Sequence, residues 1–238
     1  MLLPSLLLAL AVLGLALGLH RLAGARNFQL FGEIVSQVET NSPVVALTLD
    51  DGPTPEHTGR VLAILKEKGV KATFFLVGSD MEKNPDATRA IVEAGHEIGN
   101  HTYSHSDLTL ASLSTIGTEI ERTDAAIRAA GFEGDVLFRP PFGRKLFTLP
   151  WYVSKHDRPT IMWTLAPETD PATRTDADAL VRLAVEPARR GSIILMHVMH
   201  DNREASRQAL PRIIDALRAK GLEPVPVSHL LSAQTDEF

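Results

Sequence analysis

Two carboxylates stand side by side where an apolar stretch of the chain ends. Asp50 and Asp51 follow residues 44–49 and precede a glycine and a proline. An Asp-Gly-Pro sequence is ordinary turn chemistry, for which a single aspartate is enough. Two adjacent carboxylates at the mouth of a buried strand repel each other and are stabilised by a cation. The pair therefore indicates a candidate metal or acid–base site.

Two histidines four residues apart form a second candidate. His101 and His105 stand in the sequence HTYSH. This spacing places both side chains on one face of a helix, where they can bind one metal ion together. A histidine pair alone is more often a coincidence of the surface. Combined with a carboxylate, it gives a two-histidine, one-carboxylate set that leaves metal positions open for water and substrate.

A third segment combines an arginine with a stiff loop. Arg139 follows the apolar residues 136–138, and it can pair with a carboxylate and keep it ionised. Pro140 and Pro141 come next. They restrict the backbone, so the following N–H, that of Phe142, can be held in place as an oxyanion donor. On its own, this segment is more typical of a rigid surface loop.

Two further apolar runs carry one notable residue each. His197 closes residues 193–196, and Trp163 lies within residues 160–165. A core histidine and a core aromatic residue are the simpler interpretations. As part of the same site, His197 could instead donate a proton to a leaving group.

These residues all stand where predicted strands end. Short β-branched runs alternate with amphipathic stretches, as in a parallel α/β sheet or barrel. We predict about seven strands, at residues 44–49, 72–77, 97–99, 136–138, 160–165, 192–197 and 222–227. We predict helices near residues 61–68, 85–94, 113–130, 176–190 and 205–220. In such folds the reactive groups collect at the carboxyl ends of the strands.

The amino-terminal segment differs in composition from the rest. Residues 2–19 carry no charge, and a helix of that length spans about 27 Å, close to the roughly 30 Å of a bilayer core. A cleaved signal, an uncleaved anchor and a buried core helix are the alternatives. Ala23-Gly24-Ala25 resembles a signal cleavage site. No Lys or Arg precedes the run, whereas Arg21 and Arg26 follow it, which by the positive-inside rule alone would leave the domain in the cytoplasm.

Composition excludes several classes of function. The 24 Lys and Arg against 29 Asp and Glu give a formal charge of −5, which argues against nucleic-acid binding. The chain has no cysteine, so a metal would be bound by His, Asp or Glu. We divide the sequence into a signal or membrane anchor (residues 1–26), a linker (27–43) and one catalytic domain (44–238).

Taken in order, TLDDGP, HTYSH, RPPFG, the strand with Trp163 and ILMH resemble the five motifs of the NodB-like polysaccharide deacetylases, carbohydrate esterase family 4. The similarity extends over residues 44–231. It implies a distorted, incomplete (β/α) barrel and the metal-dependent removal of N-acetyl, sometimes O-acetyl, groups from a glycan.

The resemblance also implies a role for each matching residue. The metal ligands would be Asp51, His101 and His105, with zinc the first choice and cobalt or manganese as alternatives. Asp50 would be the general base, Arg139 would orient it and His197 would be the general acid. The substrate would contact Pro141, the Phe142 backbone, Trp163 and Leu195.

Some positions depart from the family pattern. Phe142 stands where a tyrosine is usual, and Leu49 replaces a common phenylalanine. Ala166 stands where an aspartate often supports the catalytic histidine, and Glu168 or Asp170 could take over that role. His96 and His200 are interpreted as structural or surface residues.

The expected partners are an acetylated glycan, such as peptidoglycan or a chitin-like oligosaccharide, and a membrane if the amino-terminal segment is retained. The expected location is outside the cell, either secreted or anchored. Two other functions remain open: a non-haem iron oxygenase, which uses the same ligand set, and a non-catalytic glycan-binding member of the fold.

Overall fold

The computed structural model describes residues 2–235. Within that range the chain alternates between strands and helices. The strands are β1 (Ile34–Val35), β2 (Val44–Asp50), β3 (Thr73–Leu76), β4 (Glu97–Asn100), β5 (Thr160–Ile161), β6 (Ile193–His197) and β7 (Glu223–Val225). The α-helices are α1 (Leu2–Ala23), α2 (Thr58–Lys68), α3 (Gly78–Lys83), α4 (Pro85–Glu93), α5 (Leu113–Ala129), α6 (Thr148–Ser154), α7 (Ala177–Val185), α8 (Glu204–Ala219) and α9 (Val227–Ser232).

The strands pair in parallel around an irregular ring. The central order is β4-β3-β2-β6, β7 pairs with the start of β2, and β1 pairs with β5. Isolated bridges close the gaps, joining Asn100 to Phe138, Phe138 to Thr160, and Leu165 to Ile194. This architecture confirms the predicted distorted, incomplete (β/α) barrel.

Strand β2 shows how the core positions the site. All seven of its residues are buried, as expected for a parallel strand covered on both faces. Val45, Leu47 and Leu49 pack into the cluster formed with the surrounding helices, whereas Ala46 packs into a second cluster. Because side chains alternate along a strand, Thr48 and Asp50 share the face of Ala46. That face carries the polar groups of the site.

Two predicted strands are shorter than the sequence pattern indicates. Residues 136–138 make only the isolated bridges of Phe138, because the following prolines have no N–H for a ladder. Strand β5 covers two residues of the predicted 160–165. The carbonyl groups of Ile161 and Met162 accept hydrogen bonds from the Arg139 guanidinium.

The segment 27–43, which the sequence predicts to be a linker, packs against the barrel. Its strand β1 pairs with β5, and Val35 and Val38 are buried. The Val38 N–H donates to the Gly191 carbonyl at 3.0 Å. A strand of two residues is too short to show the alternation of apolar and polar side chains by which strands are predicted.

Helix ends follow local chemistry. Helix α2 stops at Gly69, whose φ of 62° is left-handed, and α4 begins with Pro85. Helix α7 ends at Val185, earlier than the predicted residue 190, because Pro187 follows. The sequence analysis missed the short helices α3, α6 and α9.

Helix α1 stands apart from the barrel. Residues Pro4–Ala23 are long and apolar enough to cross a membrane, with a mean hydropathy of 2.1, and only 6% of that span is buried. A core helix would be mostly buried, so that alternative is wrong. The end of the helix touches the domain: Ala23 is buried, and its carbonyl accepts from the Lys145 N–H at 2.9 Å.

Two truncations test where the folded domain begins. Deleting residues 2–19 should leave a folded, soluble domain, since these residues add little to the core. Deleting residues 2–43 also removes Val35 and Val38, at about 1.5–3 kcal/mol for each buried valine, so its Tm should fall. Thermal unfolding followed by circular dichroism compares them. An unfolded first truncation, or equal Tm values for both, would contradict this boundary.

Candidate active site and metal centre

The predicted site residues converge at the carboxyl ends of the strands. In the parallel register Asp50 lies opposite His197 on β6 and Phe75 on β3. His101 follows the last residue of β4. The three strand ends surround a cavity of about 470 Å³. Its lining includes Asp50, Asp51, His101, His105, Pro140, Phe142, Gly143, Trp163, Ala166, Glu168, Thr169, Arg174, Leu195, His197 and Arg203.

Arg139 holds Asp50 from behind the cavity. Its side chain is fully buried, and Nη1 donates to Asp50 Oδ1 at 2.5 Å and to Thr48 Oγ1 at 2.9 Å. Nε and Nη2 donate to the carbonyls of Ile161 and Met162. The second oxygen of Asp50, Oδ2, lies 3.6 Å from His101 Nε2. Arg139 therefore fixes Oδ1, whereas Oδ2 lies toward His101.

The two histidines meet through a loop and not on a helix face, which corrects the sequence-based interpretation. The chain after β4 turns through left-handed residues, with φ of 65° at Thr102 and 55° at His105. The Thr102 N–H donates to the Asn100 side chain at 2.8 Å. The Glu119 carboxylate accepts the N–H groups of residues 103 and 104. The loop is thus fixed by the elements around it.

Asp51, His101 and His105 fit a divalent cation. One potential ligand atom from each lies within 4.8 Å of the other two. Asp51 Oδ1 is 3.4 Å from His105 Nε2 and 3.9 Å from His101 Nε2. Ligands about 2.1 Å from a shared ion at tetrahedral angles lie about 3.4 Å apart. The three residues are therefore close to the separation that such an ion requires.

Hydrogen bonding prepares His101 as a ligand. Its Nδ1 lies 2.7 Å from the Arg139 carbonyl. Because a carbonyl oxygen can only accept a hydrogen bond, Nδ1 carries the proton. Nε2 then carries the free lone pair and faces Asp51. Burial, together with the neighbouring His101, lowers the pKa of His105 despite the opposing charges of Asp51 and Asp50. The His105 imidazole is thus favoured in the neutral form that binds metals.

His200 is a site residue that the sequence analysis interpreted as structural or surface. Its Nε2 donates to Asp51 Oδ2 at 3.0 Å. Burial alone would raise the pKa of Asp51, but this hydrogen bond and the charges of His101, His197 and His105 hold it well below its ordinary value. This bond is made to Oδ2, whereas Oδ1 is the oxygen that lies near His105. The signal available in the sequence was its position three residues after His197.

Glu168 supports His197 in place of the absent motif aspartate at Ala166. His197 Nδ1 lies 2.6 Å from Glu168 Oε2, which also accepts the His197 N–H at 3.0 Å. Ser206 donates to the other oxygen of this buried carboxylate. Burial alone would lower the pKa of His197, but the bond to Glu168 and the nearby carboxylates raise it above its ordinary value. Asp170 instead accepts the Ala172 N–H.

The expected substrate-contacting residues are mostly at the cavity. Trp163 and Leu195 line it, and Leu195 shares a face of β6 with His197. The Phe142 ring packs edge-on against His105, with centroids 4.7 Å apart. Pro141 is buried and is outside the lining, where Pro140 stands instead.

Comparison with known proteins finds a matching family and relatives that are named as deacetylases. A family described as polysaccharide deacetylase matches residues 37–160. The chain is 35% identical over 198 residues to a peptidoglycan-N-acetylglucosamine deacetylase of Bacillus cereus, covering 82% of this chain and 71% of the relative. It is 32% identical over 203 residues to a chitooligosaccharide deacetylase of Sinorhizobium fredii, covering 80% and 94%.

Solved structures share the fold. A peptidoglycan N-acetylglucosamine deacetylase in complex with 4-naphthalen-1-yl-N-oxidanyl-benzamide superposes with a TM-score of 0.78 at 31% identity, covering 85% of this chain and 94% of that one. A pseudoenzyme of carbohydrate esterase family 4 from Bacillus anthracis superposes with a TM-score of 0.76 at 29% identity, covering 86% and 70%. A mutant of that pseudoenzyme has restored enzymatic activity.

Substitution of the two adjacent aspartates tests the division of roles. Asp51→Ala removes the charged member of the proposed ligand set and should abolish zinc binding. Asp50→Asn should retain it, because the remaining ligand atoms stay in place. Calorimetric titration of both variants with zinc measures the difference, and circular dichroism controls for folding. Equal zinc affinities in the two variants would contradict this assignment.

Proposed function

The chain belongs to the polysaccharide deacetylase family and is a hydrolase of acetylated glycans, and we propose that it works with a divalent cation bound by Asp51, His101 and His105. Two imidazoles and one carboxylate are a common zinc-binding set, and cobalt or manganese would also fit. One observation carries the proposal. Asp50 and His197 line the same cavity as the three ligands, so a base and an acid flank the proposed metal position.

Asp50 is suited to act as the general base. The substrate amide is a poor electrophile, so the attacking water must lose a proton as it adds to the carbonyl. Arg139 Nη1 donates to Asp50 Oδ1 at 2.5 Å, and this charge-assisted hydrogen bond fixes the carboxylate. Oδ2 is the oxygen nearer the proposed metal ligands and would accept the proton.

The acetyl carbonyl needs charge stabilisation as water adds. A bound divalent cation would polarise this carbonyl and lower the pKa of water. The Phe142 N–H would donate to the developing oxyanion. The left-handed φ of 57° at Phe142 and the prolines before it fix the backbone at this point. Trp163 and Leu195 would surround the acetyl methyl group.

His197 would protonate the sugar nitrogen as the carbon–nitrogen bond breaks. An amine anion is a very poor leaving group, so the reaction needs a proton donor. The Glu168 bond to Nδ1 leaves Nε2 for this transfer and favours the protonated ring. The acetyl group leaves as acetate and the sugar keeps a free amine.

We propose a cell-wall glycan containing N-acetylglucosamine as the substrate, and a location outside the cell. The relatives named above act on peptidoglycan and chitooligosaccharides by their names. The apolar helix α1 is suited to export or anchoring, which would bring the domain to the wall. An oxygenase would require neither Asp50 nor His197 beside the metal ligands.

Acetate release is the direct test of the activity. The protein should release acetate from peptidoglycan and from N-acetylglucosamine oligomers, lose this activity after chelation and recover it with zinc. The same assay after Asp50→Asn should show a decrease of about 10²–10⁴-fold. No acetate from any acetylated glycan with metal present would favour the non-catalytic alternative. A requirement for iron and a keto acid would favour the oxygenase.

The role of Glu168 predicts a change in pH dependence. Glu168→Gln removes the charge that raises the pKa of His197, so the protonated imidazole should be lost at lower pH. The alkaline limb of kcat should therefore move to lower pH, while metal binding is kept. His197→Ala is the matched control and should lower kcat by about 10²–10⁴-fold with metal retained. Loss of metal in His197→Ala would make it a ligand, and an unchanged alkaline limb would exclude the role of Glu168.

A further inference from the structure

Exposed large apolar side chains are concentrated in one region of the domain. Among the described residues after α1, all of them except Leu183 lie in segments 28–31, 110–113 and 142–151. We call these residues the apolar collar: Phe28, Leu30, Phe31, Leu110, Leu113, Phe142, Phe147 and Trp151. Scattered exposed apolar residues are ordinary, whereas a concentration of them marks an interaction surface.

Contacts between the three segments show that they are neighbours in the fold. Gly32 lies so close to helix α6 that an added Cβ would stand 2.7 Å from Ser154 Cβ. Leu108 packs in one cluster with Leu149 of the same helix. The Arg144 guanidinium lies 3.2 Å from the Asp107 carboxylate. The three segments that carry the collar residues therefore lie next to one another.

Two of the three collar segments lie next to the end of the apolar helix. Lys145 donates through its N–H to the Ala23 carbonyl and through its ammonium group to the Ala25 carbonyl. The first collar residue, Phe28, follows three residues later. The helical span Pro4–Ala23 has 20 residues, about 30 Å at 1.5 Å per residue, which matches a bilayer core. If α1 crosses a bilayer, the collar lies at the surface where the helix emerges.

We propose that α1 is retained and that the apolar collar rests in the interfacial layer of the bilayer that α1 spans. Tryptophan favours this layer because its ring is apolar and carries one N–H donor, and Phe and Leu side chains of surface-lying segments are buried at the boundary between headgroups and acyl chains. Four of the eight collar residues are phenylalanine and one is tryptophan.

The proposal has a consequence for access to the catalytic cavity. Phe142 belongs to the collar and also packs against His105 at the cavity rim. Seating the collar on lipid would bring that rim close to the headgroups. The acetylated glycan would then be taken from the membrane surface and not from distant layers. The seating itself does not depend on the proposed chemistry.

The two tryptophans provide the test. Trp151 is in the collar and 38% exposed, whereas Trp163 lines the cavity. Full-length Trp163→Phe retains only Trp151, and full-length Trp151→Phe retains only Trp163. Each is reconstituted in phosphatidylcholine vesicles with plain or brominated acyl chains. Fluorescence of Trp163→Phe should be quenched by the brominated lipid, and that of Trp151→Phe should not.

Flotation of both proteins with the vesicles is the control for insertion of α1. Equal fluorescence of Trp163→Phe in the two lipids would overturn the proposal, as would equal quenching of both variants. Wild type against Trp151→Phe gives the same comparison without changing the cavity. Adding Phe31→Ser and Phe147→Ser to Trp163→Phe should reduce the quenching. Burial of Trp151 from both brominated lipid and aqueous iodide would indicate a protein partner and also overturn it.

Discussion

The buried pair of Arg139 and Asp50 is the interaction on which the site depends. An unpaired guanidinium in a barrel interior would be very unfavourable, and removal of one partner from such a pair costs about 3–5 kcal/mol. Here the charge is matched by one carboxylate, and the remaining donors reach a threonine hydroxyl and two carbonyls. The same arginine also contributes the carbonyl that accepts from His101. One residue therefore fixes the proposed base, the backbone at the end of β5 and the tautomer of a proposed metal ligand.

The second constraint is the electrostatic balance among groups that need opposite protonation states. Neutral imidazoles suit metal binding, whereas His197 must hold a proton to act as an acid. Burial lowers the pKa of His105, while at His197 the bond to Glu168 and the charges of the nearby carboxylates together outweigh burial. The two histidines thus obtain different states from different neighbours within one cavity. Both residues are histidines, so the opposite shifts of their pKa values follow from their surroundings, in particular from where each carboxylate lies.

The sequence indicated the fold and most of the site, because apolar runs that end in polar residues are strong signals of parallel strands. It failed where tertiary contacts override local pattern. The spacing of His101 and His105 suggested a helix, but the chain after β4 is turned by left-handed residues that Glu119 and Asn100 hold in place. Strand β1 has only two residues, which is too short to show the alternation of a strand, so the sequence predicts a linker there. The bond from His200 to Asp51 joins positions 149 residues apart, and no local pattern reports it.

Glu168 shows why a motif position can change while the interaction remains. The family motif would place an aspartate at Ala166, on the segment that bridges to β6 through Leu165. Glu168 stands two residues further along the chain, beyond that segment. Its longer side chain reaches back to His197, and its Oε2 lies 2.6 Å from Nδ1. Burial and the bond from Ser206 hold the carboxylate there. The proposed role of His197 requires a carboxylate fixed at Nδ1, and several positions of a loop can supply one. Absence of a motif residue is therefore weak evidence for loss of activity until the neighbouring carboxylates have been located.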